Sequence, residues 1–172
     1  LKLASDSILP HVRTDIVKYL KGSEKSHITR LQANYFGNPY KSIYTKLSAG
    51  IFEPMFSGYG GEILYKPFGQ SFAVGAELWH VRQRSFRQLF SYRDYETVTG
   101  HMNFYYVEPT TRVLLHLRGG KYLAKDSGFT FNVSRNFESG LNMGVFFSLT
   151  DISKKEFGEG SFDKGFFFNL PI

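Results

Sequence analysis

The chain contains no cysteine. That excludes disulfides and thiolate metal sites, and it is compatible with a periplasmic route without identifying a compartment. No stretch approaches the roughly 18 apolar residues of a membrane-crossing helix. No HExxH, GxSxG or P-loop spacing occurs, so no motif marks a metalloprotease, a serine hydrolase or a nucleotide enzyme. Tryptophan is nearly absent too: one Trp stands against 18 Phe and 11 Tyr, with aromatics at 17% of the chain. Yet the mean hydropathy is negative, −0.25. Strands with one greasy and one polar side produce that combination, because the two sides cancel in any average. The length of 172 residues is enough for one domain. A net charge of +6 could attract nucleic acid, anionic lipid or an anionic polymer. The basic residues are scattered and no nucleic-acid motif is visible, so nucleic acid is set aside as a partner. The chain begins at Leu1 without Met or signal sequence, which reads as a mature product or a fragment.

The informative stretch is Tyr95 to Tyr122. Thr97, Thr99, His101 and Asn103 alternate with Val98, Gly100, Met102 and Phe104. After Glu108-Pro109-Thr110-Thr111, Arg112, His116, Arg118 and Gly120 alternate with Val113, Leu115, Leu117 and Gly119. A period of two places these sets on opposite faces of a hairpin. Strands of ten or so residues exceed the common soluble length of about 5–6 and match the roughly 9–11 needed to cross a bilayer. A soluble core would not take Arg112, His116 and Arg118 unpaired. The expectation is an all-β antiparallel transmembrane β-barrel of the outer membrane, its apolar face toward lipid and its polar face toward a wet lumen.

The rest of the chain repeats the pattern. Residues 1–27 read as a loop or short surface helix, with Pro10 as a start, Val12, Ile16 and Leu20 at helical spacing, and Gly22 as a stop. Residues 28–172 read as barrel strands. These are about Ile28–Phe36, Lys41–Glu53, Ser57–Lys66, Ser71–Arg84, the two hairpin strands, Gly128–Phe137, Gly140–Thr150 and Phe162–Leu170. The count is about nine, within a range of 8–10. Gly37-Asn38-Pro39 and Pro67-Phe68-Gly69 read as turns. Longer links at about 84–93 and 151–161 alternate with short turns, as extracellular loops alternate with periplasmic turns.

Several stretches are distinctive: LSAGIFEPMFSGYGGEILYKPFG (Leu47–Gly69), AELWHVRQRSF (Ala76–Phe86), YRDYETVTGH (Tyr92–His101), GGKYLAKD (Gly119–Asp126) and EFGEGSFDKG (Glu156–Gly165). Over about residues 10–172 the chain resembles the C-terminal part of the YjbH family of exopolysaccharide-biosynthesis outer-membrane proteins. Members are much longer, so the chain resembles a fragment of one. The resemblance implies a role in moving exopolysaccharide or capsule polymer across the outer membrane, beside a small lipoprotein and periplasmic partners. It also implies membership in a larger or paired barrel, and it supplies no enzymatic residues.

By parity the expected lumen set is Arg30, Gln32, Asn34, Tyr44, Lys46, Glu62, Lys66, Glu77, His101, Asn103, Arg112, His116, Arg118, Asn132, Ser134 and Asn142. Five Lys/Arg against two Glu give a positive excess suited to an anionic polysaccharide. The rival reading is an interior filled by its own side chains. Arg82, Arg84, Arg87 and Arg93 form a basic cluster that could hold lipid A phosphates or another anionic surface; the rival is a solvated loop paired with Asp94 and Glu96. Asp151, Glu156, Glu159 and Asp163 fit no calcium template. His101 and His116 could meet across the hairpin. Ser134, His101 and His116 could be drafted into a lipid- or polymer-modifying barrel enzyme, but no spacing selects them. The expectation is therefore a non-enzymatic conduit or scaffold without metal or cofactor. An outer-membrane enzyme and a soluble β binding module are the alternatives.

Overall fold

A computed structural model of the chain describes residues 15–22, 26–152 and 163–170. Pro10, His11, Val12 and Lys25, and the loop residues Glu156 to Gly160, lie outside them. The elements are α1 (Ile16–Gly22), β1 (Leu31–Tyr40), β2 (Ile43–Ile51), β3 (Phe56–Tyr65), β4 (Phe72–Arg84), β5 (Tyr92–Val107), β6 (Val113–Lys121), β7 (Ser127–Asn136), β8 (Asn142–Thr150) and β9 (Asp163–Asn169). The nine strands form one sheet in sequence order, every neighbouring pair antiparallel. The sheet is open, with β1 and β9 as its edges, so the expected closed barrel is not what these strands form by themselves.

Alternation sets the faces as the sequence implied, and burial then inverts the usual order. On the apolar face Leu47 is 58% exposed, Leu78 62%, Met102 61%, Val145 55% and Phe166 78%. On the polar face His101 is 5% exposed, Asn103 8%, Thr99 5% and Ser134 7%. In a sheet one layer thick, one face can crowd while the other splays only if the sheet curls. The crowded, inner face is the polar one. Four charged residues of the outer face sit toward strand ends, Arg82 and Glu96 on β4 and β5, Lys121 on β6 and Arg135 on β7, whereas Lys164 on the edge strand β9 is opposite Phe147.

One small hydrophobic core exists among the described residues. Tyr19, Met55, Phe56 and Val81 are buried together, with Phe52, Trp79, Phe86, Tyr95 and Leu123 packed against them. It lies at the end of the sheet that carries the β2–β3, β4–β5 and β6–β7 connections. There α1 docks by Tyr19, whose hydroxyl donates to the Arg84 carbonyl. The Gln88 side-chain amide donates to the Tyr19 carbonyl at 2.8 Å, and that of Gln83 to Asp15 at 3.2 Å. Burial raises the Tyr19 phenol to about 12, so it remains a neutral donor. Ile16 and Leu20, read from the sequence as the helix's apolar stripe, are instead exposed.

One turn position differs from expectation. Gly37-Asn38-Pro39 lies inside β1, where the register shifts between Gly37 and Tyr40. Proline is tolerated there because β1 is an edge strand and no ladder donor is lost on its open side. The chain reverses instead at Lys41-Ser42, with Ser42 at φ 68°.

Candidate functional site: the polar face of the sheet

Cross-strand register brings distant polar residues into lateral rows. Lys46, Glu62, Glu77 and His101 stand opposite one another in turn across β2 to β5. Lys46 Nζ donates to Glu62 Oε1 at 2.6 Å. Arg118 Nη2 donates to Glu77 Oε1 at 2.5 Å, and His101 Nδ1 lies 2.9 Å from that same oxygen. His101 Nδ1 is also 2.8 Å from Arg118 Nη2, so it donates to the carboxylate or accepts from the guanidinium, not both at once. Trp79 Nε1 donates to Glu77 Oε2 at 3.3 Å, and Lys46 lies over the Trp79 ring.

Around these pairs most of the bonds join uncharged side chains. His116 Nε2 lies 2.9 Å from Asn103 Oδ1, and its ring stacks on Tyr105 with centroids 4.3 Å apart and planes 13° from parallel. The Tyr122 hydroxyl bonds Thr130 at 2.8 Å, which bonds Ser148 at 2.7 Å. Ser48 donates to Asn34 at 2.6 Å, and Gln32 bridges Arg30 to Asn34. Asn142 donates to Asn136 at 2.5 Å and accepts from Asn169 at 3.5 Å. Trp79, Tyr105, Tyr122, Thr130 and Ser148 were not singled out from the sequence as site residues. Their shared parity with His101 and Arg118 was the available signal.

The expected lumen residues divide. Tyr44, Lys46, Glu62, Glu77, His101, Asn103, His116, Arg118 and Asn132 share the polar face with Gln32, Asn34, Ser134 and Asn142. Arg30 precedes β1 and Lys66 follows β3; both are exposed at the rim. Arg112 is not on the face at all. It occupies the β5–β6 turn at φ 57°, 4.0 Å from exposed Glu138. Only Lys46 and Arg118 of the five expected cations therefore stand on the strand body, and each is held by a carboxylate. Asp163, opposite Ser148 on β9, adds a third acid to Glu62 and Glu77. Among the described residues of the strand body, acids and bases are therefore closely balanced, with Arg30 and Lys66 exposed beside them.

His101 and His116 do not meet: His101 is opposite Gly120, and His116 is opposite Tyr105. Ser134 is opposite Leu114 and Gly144, so neither histidine faces it across a ladder. Among the described residues, no group of three or more His, Asp or Glu is placed to hold a metal ion.

The arginine cluster also divides. Arg84 is wholly buried and unavailable to any lipid phosphate. Its Nη1 donates to the carbonyls of Ile28, Glu53 and Pro54, and its Nη2 to those of Gln88 and Leu89. Arg82 and Arg87 are exposed. Arg82 lies over Tyr92 and donates to the Arg93 carbonyl; Arg93 lies over Phe86.

Comparison with known proteins agrees with the resemblance. The family model YjbH, described as exopolysaccharide biosynthesis protein YbjH, matches residues 2–172. A curated relative, "Uncharacterized lipoprotein YjbH" of Escherichia coli (strain K12), is 36% identical over 171 residues. That alignment covers 97% of this chain and 24% of the relative, so the chain spans about a quarter of the relative's length. No solved structure matches. The chain belongs to the YjbH family of exopolysaccharide biosynthesis proteins.

Proposed function

We propose that this chain is a segment of an outer-membrane β-barrel that serves exopolysaccharide export as a non-enzymatic conduit or scaffold. The observation that carries the reading is the inverted burial, with Leu47, Leu78, Met102 and Phe166 exposed while His101 and Asn103 are covered. Water would penalise so large a continuous apolar face, whereas acyl chains would not. On β5 the uncharged outer stretch from Val98 to Tyr106 covers about 26 Å along the strand, close to the roughly 25 Å apolar band of such barrels before tilt. No helix of the described residues is long and apolar enough to cross a membrane. The relative's description as a lipoprotein supports membrane association. The open edges β1 and β9 would pair with further strands, closing a larger or twin barrel. Outer-membrane lipids, the polysaccharide, and periplasmic and lipoprotein components of the export system are the partners of this reading.

The test uses the absence of cysteine in this chain. In full-length protein within outer membranes, with any cysteine elsewhere replaced, single cysteines at Leu47, Leu78 and Met102 should resist a membrane-impermeant maleimide. They should react with a lipid-soluble one. A cysteine at Ser148 should show the opposite order of reactivity. Fast labelling of all three outer positions by the impermeant reagent refutes the membrane reading and favours a soluble module.

A further inference from the structure

We infer that the inner face of β8 and β9 carries a stacking site for a sugar ring, with Phe146 and Phe167 as its floor and Asn132 as its hydrogen-bonding arm. The inference rests on the export reading above and locates one contact with the polysaccharide. Phe146 has the parity of Asn142 and Ser148, and Phe167 that of Asn169, so both rings lie on the polar side of the curl and not toward lipid. Each is opposite a glycine of the neighbouring strand, Phe146 opposite Gly165 and Phe167 opposite Gly144. A Cβ on Gly165 would lie 2.8, 3.0 and 3.8 Å from Phe146 Cε1, Cζ and Cδ1, so the ring covers the place where a side chain would stand. A Cβ on Gly144 would likewise lie 2.8 Å from Phe167 Cζ. The rings therefore recline across the glycines and do not project. Exposure agrees: Phe167 is half-buried although β9 is an edge strand, whereas Phe166 and Phe168 on the outer face of the same strand are 78% and 62% exposed. A reclining ring turns one face to the sheet and leaves the other for a ligand.

The amide beside this floor differs from those elsewhere on the face. Asn34, Asn103, Asn136, Asn142 and Asn169 each hydrogen-bond a neighbouring side chain. Asn132, directly opposite Phe146 on β7, makes no side-chain hydrogen bond among the described residues, although it is half-buried. A half-covered amide without a partner costs free energy that a bond to a ligand recovers. A pyranose ring has parts that match both features. Its C–H face is attracted to the negative face of an aromatic ring. Its hydroxyl edge donates and accepts, as an asparagine amide does. A lipid tail or an apolar peptide segment would cover the rings and leave Asn132 unsatisfied.

The experiment uses full-length protein in detergent micelles. The probe is the exopolysaccharide that the parent strain makes and a strain deleted for the gene does not. Retardation of the protein in native gels containing that polymer gives the affinity. Phe146→Leu with Phe167→Leu keeps the site apolar and removes the flat rings; it should weaken binding by about five-fold or more. Phe146→Tyr with Phe167→Tyr keeps the rings and should stay within about two-fold of the parent protein. Asn132→Ala should weaken binding by about three-fold or more. Heat-modifiable mobility on gels confirms that each variant has folded. Should the leucine pair not fold, Gly165→Ala takes its place. The atoms its methyl meets all belong to the Phe146 ring, so the ring must lift while the backbone stays, and binding should fall in the same way. Parent-like binding by the folded leucine or Gly165→Ala variant, or no retardation of the parent protein, overturns the inference and leaves the export reading intact. Unchanged polymer on gene deletion overturns the export reading itself, and the inference with it.

Discussion

Arg84 offers the sharpest test of how the sheet is held at its α1 end. Its two terminal nitrogens carry four N–H groups and reach five backbone carbonyls, from Ile28, Glu53, Pro54, Gln88 and Leu89. Those carbonyls belong to three separate segments: the approach to β1, the β2–β3 turn and the β4–β5 loop. None of these segments runs in the sheet ladder there, and apart from the Gln88 carbonyl, which also accepts from the Ile28 amide, the guanidinium supplies donors that the backbone does not. Lysine keeps the charge but offers three N–H groups from a single point. With the Gln88 carbonyl served by the Ile28 amide, it leaves at least one of the other four without a donor. At about 1–3 kcal/mol for a buried group left unsatisfied, Arg84→Lys should cost about 1–3 kcal/mol. Against a total of roughly 5–15 kcal/mol that is a large fraction. Full-length protein refolded into detergent micelles should unfold at correspondingly lower urea, and trypsin should cut after Arg87 in native conditions. Arg82→Lys, at an exposed neighbour, should stay within about 0.5 kcal/mol. An Arg84→Lys variant within that same range, with the loop still protected, would refute the claim that a planar fork joins these segments.

Three further outcomes follow from the same structure. Tyr19→Ala removes the one buried side chain of α1 and its bond to the Arg84 carbonyl; about 3–5 kcal/mol of local stability should be lost, seen as rapid proteolysis at Lys18 and Lys21. Gly58→Ala should prevent folding or distort the β3–β4 ladder, because a Cβ there meets the His80 carbonyl oxygen at 2.0 Å; failure to recover heat-modifiable protein is the readout, with wild-type recovery for Gly58→Ala counting against the register. Glu108, in the β5–β6 turn, is lowered from 4.5 to about 2 by its bonds from the Thr111 hydroxyl and amide and from Thr110. A depressed folded value means the turn's contribution is complete above about 4.5 and lost as pH falls through about 2; hydrogen exchange of the Thr111 amide should rise across that window, and Glu108→Gln should abolish the rise.

The faces of the strands were legible because a period of two survives any error in strand ends. Val98, Met102 and Phe104 point one way and His101 and Asn103 the other, wherever β5 begins. The turns were less legible because several reverse the chain at residues other than glycine. Ser42, Arg112 and Lys125 all hold positive φ, a conformation that composition attributes to glycine or asparagine. Arg112 was consequently read as the first polar residue of β6, whereas it closes the turn before it. Charge pairing was not legible at all. Glu77 and Arg118 are 41 positions apart and meet only because β4, β5 and β6 carry a particular register. Arg84 was misread for a related reason: the register shift between Arg82 and Arg84 breaks the alternation that otherwise assigns sides. A run of Val-Arg-Gln-Arg looks solvated until the bulge turns Gln83 and Arg84 into the core end.

These points bear on what holds such a sheet together. The buried core comprises Tyr19, Met55, Phe56 and Val81 at one end, and it touches neither β7, β8 nor β9. Those three strands have ladder bonds, an inner face that is polar apart from Phe146 and Phe167, and an outer face of Phe129, Val145, Leu149, Phe166 and Phe168 left exposed. In water, ladder bonds exchange for bonds to solvent at small net gain, and the outer side chains would gain nothing by folding. Hydrophobic burial must therefore come from something laid against the outer face. A second layer of protein would select a flat or locally complementary contact and would tolerate charges wherever it ended. A bilayer selects a continuous uncharged band with charges displaced toward the strand ends, which is the distribution of Arg82, Glu96, Lys121 and Arg135; Lys164 on the edge strand departs from it, in the row of Phe131 and Phe147. The distinction has a direct consequence. Substituting Arg at Phe131, mid-strand on β7, should cost about 2–4 kcal/mol of insertion energy in a membrane, whereas Arg at Lys121's position should cost almost nothing. Equal tolerance of the two substitutions, measured by insertion of the full-length protein into outer membranes, would mean that protein and not lipid covers this face.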